Sequence, residues 1–225
     1  MPRNLESPGY SLLAVTDPPV DNSGGPYAEV MRTVFDVNDP DTNAYALLTS
    51  VVVPRPIAWI TSIGSDGTGN LAPHSFFNVA CARPPIVSFT SVGRKDTLRN
   101  VLATQHFVIN LVSEQLADLA NASSAPFDPE VDEAATLGIT LEPSALVPVP
   151  RVADSPVSIE CRLHSSIKLG NSHLVLGDVL AITVADDALV DGHPSMERLR
   201  PMSRLGRDEW GRSPEVVHLT RPERA

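Results

Sequence analysis

Residues 94–97, Arg94-Lys95-Asp96-Thr97, set two cations, a carboxylate and a hydroxyl in front of a run with Leu98, Val101 and Leu102 at helical spacing. Adjacent cations at a helix start oppose the helix dipole unless a negative group sits between them. Two cations, a Thr hydroxyl and the free N–H groups of a first helical turn together form a phosphate cradle. The plain alternative is a solvated turn with Asp96 as the helix cap. The pair stands out because the chain holds 17 Lys+Arg against 27 Asp+Glu, a net charge of −10.

A second chemically suggestive segment is "NLAPHSFFNVAC", where Ser75, Phe76, Phe77 and Asn78 mix polar groups with aromatic walls. Flat aromatic ligands with imide edges need that mixture, although a half-buried strand ending in Asn has the same pattern. His173 begins a strand after a turn, where an imidazole can face a cleft; His74 is a similar candidate, and His106 and His164 are lesser ones. No spacing among the histidines matches a metal site. "SSIK" (Ser165 to Lys168) mimics a penicillin-binding motif, but it lies in a strand pattern without companion motifs. "GSDGTGN" lacks the Gly-Lys-Ser/Thr ending of a phosphate-binding loop.

The elements that must position these residues are mostly strands. "PIAWITSIG" is β-branched and aromatic, "SDGTGN" is a hairpin turn, and "APHSFFNVAC" reads as the returning strand. "PPIVSFTSV" starts a third strand with its prolines at the mouth. "DTLRNVLATQ" is a helix, "HFVINLVS" a buried strand, and "SEQLADLANAS" a helix that Ser113 can cap. Asp39 or Asp41 can cap a short helix that ends before Pro54. Ala125 to Pro156 is Pro-rich and reads as an irregular surface wrap, and a long hairpin turns around Gly170-Asn171. Many strands with short turns argue for a mainly β, closed or half-closed antiparallel barrel with a few peripheral helices.

The totals fit that reading. A chain of 225 residues with 42% hydrophobic and 20% charged residues is an ordinary globular protein. No apolar run approaches a membrane span, and "MPRNLESPGYSLLAV" lacks the core of a signal peptide. Cys81 and Cys161 form no CxxC, which suits a reducing, cytoplasmic setting. The acidic balance and missing basic stripe argue against nucleic-acid binding. Residues 1–28, rich in Pro, Gly, Ser and Asp, read as an extended arm, 29–190 as the main domain, and 191–225 as a segment packing on the barrel or a partner.

Four motifs in order resemble the flavin reductase-like family of FMN-binding split barrels, in particular its flavoredoxin branch. They are "PRPIAWITS", "NLAPHSFFNVACARPPIVSF", "RKDTLRNVLATQHFVINL" and "GNSHLVLGDVLAI", and the likeness runs from about Tyr45 to Thr183. The resemblance implies an antiparallel Greek-key split barrel that binds FMN. It implies that Arg94, Lys95, Asp96 and Thr97 hold the FMN phosphate, while Thr61, Ser62 and Ser75, Phe76, Phe77 and Asn78 line the ribityl chain and ring. His173 would stand where a nicotinamide approaches.

The same resemblance implies a homodimer with flavin near the interface, and electron transfer from NADH or NADPH through FMN to an acceptor. One expected function is thus an NAD(P)H-dependent flavin reductase, the reductase half of a two-component monooxygenase. An FMN electron carrier that never reacts with nicotinamide is the alternative, and the residues do not separate the two.

Overall fold

The computed structural model describes residues 31–222. The chain divides into two compact units, 1–52 and 53–225. The expected extended arm, 1–28, lies outside the described residues. In the first unit, helix α1 (Ala44–Val51) is capped by Asn43, whose side chain accepts the Ala46 N–H at 3.0 Å. Asp39 does not cap it, because its carboxylate is occupied by the Asp41 N–H at 2.9 Å in a local turn.

The second unit is built on seven strands: β1 (Ala58–Ile63), β2 (Gly69–His74), β3 (Phe77–Cys81), β4 (Ile86–Val92), β5 (His106–Leu111), β6 (Val157–Leu169) and β7 (Ser172–Val184). They form one antiparallel sheet in the order β2-β1-β5-β6-β7-β4-β3. The two edge strands, β2 and β3, follow one another in the chain and are joined by Ser75 and Phe76 alone. The sheet therefore curls until its edges meet, as a split barrel. The Thr90 N–H donates to the Phe76 carbonyl at 2.8 Å, extending the β3–β4 ladder back into the link, and across the seam the His74 and Phe89 rings lie 5.0 Å apart.

Strand alternation sorts β1 between two cores. Ala58 and Ile60 point inward to Phe89, Phe107, Ile109, Cys161 and Val175, with Leu98 and Val101 of helix α2 (Asp96–Thr104) plugging the barrel. Trp59 points outward to Leu71, Val112, Leu116, Ala120 and Ile139. Both faces are covered, which is why "AWITSI" reads as a continuous buried run. Trp59 is core rather than a shelf for a ligand: it is fully buried, and its indole N–H donates to Ser123 Oγ at 2.8 Å.

One glycine is required by close approach. A Cβ on Gly177, at a bulge of the β6–β7 hairpin, would stand 2.5 Å from the Phe107 ring.

Three segments differ from the sequence reading. "APHSFFNVAC" is not one strand: Ala72–His74 finishes the hairpin with β1, and the chain then crosses the seam so that Phe77 can pair with Phe89. Ser113 stands before a short 3₁₀ turn (Glu114–Leu116) that leads into helix α3 (Ala117–Ala122), and its hydroxyl makes no capping bond. Residues 125–156 are not a mere wrap. They contain helix α4 (Glu133–Leu137), capped by Asp132, and bury Ile139, Val147 and Val149. Glu160, itself fully buried, holds that segment by accepting the N–H groups of Ala145, Leu146 and Val147 at 2.8, 2.6 and 3.2 Å.

Further along, Ser203–Arg204 pairs with both Arg55–Pro56 and Trp210–Gly211. Met202 and Trp210 pack on the outer core. Among the described residues no helix is long and apolar enough to cross a membrane.

Candidate functional site

Strand β4 hands over to α2 through Gly93, whose φ of +80° suits glycine and strains other residues. Its N–H donates to the Asn171 carbonyl at 2.9 Å, and its own carbonyl accepts the Ser91 hydroxyl at 2.9 Å. The loop is thereby tied to the turn of the β6–β7 hairpin. Lys95 is the extended N-cap residue of α2 and makes no side-chain capping bond. The first N–H groups of the helix are left open, with the positive end of the helix dipole behind them. Arg94 and Lys95 are exposed and, among the described residues, take part in no ion pair. Asp96 pairs with Arg99 at 2.6 Å, one turn along the helix, so its charge is partly offset beside the cation pair.

Beneath this helix start lies a buried polar network. Asn70 Nδ2 donates to Thr97 Oγ1 at 3.0 Å and reaches Ser62 Oγ at 3.4 Å. Asn100 Nδ2 donates to Ser62 at 3.3 Å, and Thr97 Oγ1 lies 3.2 Å from His74 Nε2. Burial, with the Lys95 charge second, pushes the His74 pKa down to about 4, so the ring is neutral at pH 7. A hydroxyl has one proton to give. Thr97 accepts from Asn70 and donates to the unprotonated His74 nitrogen, a tautomer assigned from the network. With 1% of its surface exposed, Thr97 fixes the helix start in place and does not turn its hydroxyl outward.

The helix start borders a cavity of about 330 Å³ lined by His74, Lys95, Thr97, Pro126, Phe127 and Glu133 among others. Glu133 is buried, accepts the Leu71 N–H at 2.8 Å, and has its pKa raised by desolvation.

The fold brings Arg94, Lys95, Asp96 and Thr97 together with Ser62, which reaches them through Asn70. Thr61, the neighbour of Ser62, faces the opposite side of β1, and its hydroxyl donates to the Pro150 carbonyl at 2.6 Å. Ser75 and Phe76 form the seam link, and Phe77 packs against the inner core. Asn78 is exposed, with its side-chain carbonyl on the Val79 N–H at 2.8 Å. His173 is half-buried on β7, directly opposite Ser91 on β4. Sequence reasoning missed Asn70, Asn100 and Glu133. Thr97 and Asn100 did carry a signal, since two polar residues at i, i+3 on the apolar face of a helix need buried partners.

The donor set fits an anion of the phosphate type: the N–H groups of a first helical turn and two exposed cations that take part in no ion pair among the described residues. Among the described residues no group of three or more His, Cys, Asp or Glu could hold a metal ion. The family model of the flavin reductase like domain matches residues 50–199. The chain belongs to that family. Membership makes it a split-barrel oxidoreductase of the flavoprotein class.

Relatives match along most of their length. A protein of Halalkalibacterium halodurans is 40% identical over 79% of this chain and 90% of its own. One of Aquifex aeolicus is 39% identical over 78% and 92%. Among solved structures, nitrilotriacetate monooxygenase component B from Bacillus cereus superposes with a TM-score of 0.80 at 31% identity, covering 85% of this chain and all of that one. The 2-nitrobenzoate 2-nitroreductase of Pseudomonas fluorescens gives 0.74 at 34% identity, over 80% and 92%.

Proposed function

We propose that this flavin reductase-like protein binds FMN and catalyses its reduction by NADH or NADPH, as the reductase half of a two-component monooxygenase. The observation that carries the reading is the helix start at Lys95: an N-terminus without a side-chain cap, with two cations that are unpaired among the described residues, and with Lys95 lining a 330 Å³ cavity. Arg94, Lys95 and the open N–H groups of α2 would hold the FMN phosphate. Asn70, Ser62 and His74 keep that cradle rigid through Thr97. FMN, when bound, supplies the hydride-accepting ring. His173 would orient the nicotinamide carboxamide. The likeness to component B of a monooxygenase supports an oxygenase as the electron acceptor. Exposed Val79, Ile167, Leu169 and Ile182 on the sheet support a homodimer, since single copies seldom leave so much apolar surface open.

Two measurements test the reading. Lys95→Ala or Arg94→Ala should weaken FMN binding by about one to two decades and leave riboflavin nearly unaffected, as expected for lost charge-assisted bonds. Equal losses for both ligands would remove the phosphate assignment. NADH or NADPH oxidation with added FMN tests the activity. A protein that binds FMN yet is reduced by neither nucleotide would be an electron carrier instead.

A further inference from the structure

The hairpin builds a second cationic position that the flavin cradle does not use. Register sets His173 opposite Ser91 on β4 and opposite Lys168 on β6. Residues directly opposite in antiparallel strands share a face. Two residues on, Val175 opposite Phe89 is fully buried in the inner core. The row Ser91–His173–Lys168 therefore lies on the inner face, at the barrel end where the Gly93–Asn171 bond holds Arg94 beside the hairpin turn. With strands roughly 4.8 Å apart, Lys168 stands about 10 Å from Ser91, on the far side of His173 from the cradle.

The charge pattern around this row is one-sided. The chain holds 27 acidic residues, yet none falls between Ile86 and Lys95 or between Leu163 and Leu174. Those two segments instead supply Arg94, Lys95, Lys168, His164 and His173. His164 is taken up by Asp178 at 2.9 Å, toward the other end of the hairpin. Lys168 is exposed and, among the described residues, has no ion-pair partner. Asp96 follows Lys95 directly but is paired with Arg99 at 2.6 Å, so the cations of these two segments outweigh the carboxylate beside them and concentrate anions there. With Arg94 and Lys95 committed to one phosphate, Lys168 is left for another, at a separation a dinucleotide can span.

We propose that Lys168 anchors a phosphate of the pyridine-nucleotide donor, its pyrophosphate or its 2′-phosphate, with His173 between that phosphate and the flavin. The inference rests on the proposed NAD(P)H reading. Lysine suits the role as a compact, mobile point charge on a surface where the nucleotide must also leave.

The test is calorimetric titration of NAD+ and NADP+ into FMN-loaded wild type, Lys168→Ala and Lys168→Arg. Lys168→Ala should weaken nucleotide binding by about tenfold, with the gap narrowing as salt rises, and Lys168→Arg should restore it. Loss for both nucleotides assigns the pyrophosphate; loss for NADP+ alone assigns the 2′-phosphate. Nucleotide binding that is unchanged in Lys168→Ala, or an equal loss of FMN affinity, overturns the anchor while leaving the reductase reading intact. A wild type that holds FMN but binds neither nucleotide overturns both.

Discussion

Nε2 of His74 and the hydroxyl oxygen of Thr97 lie 3.2 Å apart, joining edge strand β2 to the first turn of α2. With Thr97 as donor the bond uses a neutral imidazole, and burial keeps the ring neutral down to a pKa of about 4, against 6.5 for the free side chain. The folded state then binds fewer protons than the unfolded state between those values. Stability from this group is complete above pH 6.5 and is lost as pH falls toward 4, by about 3 kcal/mol in all. Thermal melts from pH 7 to 4 should show this decline in wild type and a much flatter profile in His74→Gln. Equal slopes would mean that other groups carry the acid sensitivity.

Glu160 spends its carboxylate on three backbone N–H groups of residues 145–147. Glu160→Ala removes the acceptor of three N–H groups, of which that of Val147 is buried while Ala145 and Leu146 are exposed residues that water can reach, and should cost about 1–3 kcal/mol. Glu160→Gln, which keeps one acceptor oxygen, should fall between. Urea denaturation gives the free energies, and amide exchange at Leu146 and Val147 should rise in step. A loss under 1 kcal/mol in Glu160→Ala would show that the segment is held by Val147 and Val149 instead.

At Gly93 a side chain meets no steric obstacle, but the backbone φ of +80° disfavours one. Gly93→Ala should cost about 1–2 kcal/mol, and Gly93→Asn less, because Asn tolerates left-handed backbone. Denaturant midpoints should follow the order Gly, Asn, Ala. Identical midpoints for all three would mean that the loop relaxes freely.

His173→Ala should hold FMN within about threefold of wild type and slow reduction by NAD(P)H about 10- to 100-fold, as for a group used mainly during hydride transfer. Anaerobic stopped-flow reduction of bound flavin reads both quantities. An unchanged rate would make His173 a purely structural strand residue.

What could be read from the chain follows the range of the interactions involved. The strand "AWITSI", the helix from Asp96 and the hairpin around Gly170 were legible because periodicity and turn residues are local signals. So was the cation pair, which needs no partner strand to be noticed. The break at Ser75–Phe76 was hidden, because the chain turns there only to close the barrel seam. Asn43 displaced the two aspartates as helix cap through a competition between neighbouring local bonds that composition does not rank. The roles of Asn70 and Glu160 depend on atoms 27 and 13–15 residues away, and a single sequence holds no record of such pairs.

The strand order also sets a schedule for the nascent chain. β1, β2 and β5 can pair as soon as Leu111 has left the ribosome, and β3 with β4 form a hairpin of their own. Both partial sheets then wait for β6 and β7, since β5 is completed only by β6 and β4 only by β7. At ordinary elongation rates that wait lasts roughly 4–15 s, with Phe89 and Phe107 open to water throughout. The interval is a window for chaperone capture that ends when Val184 emerges, and a rare-codon stretch placed between Ala125 and Pro156 would widen it.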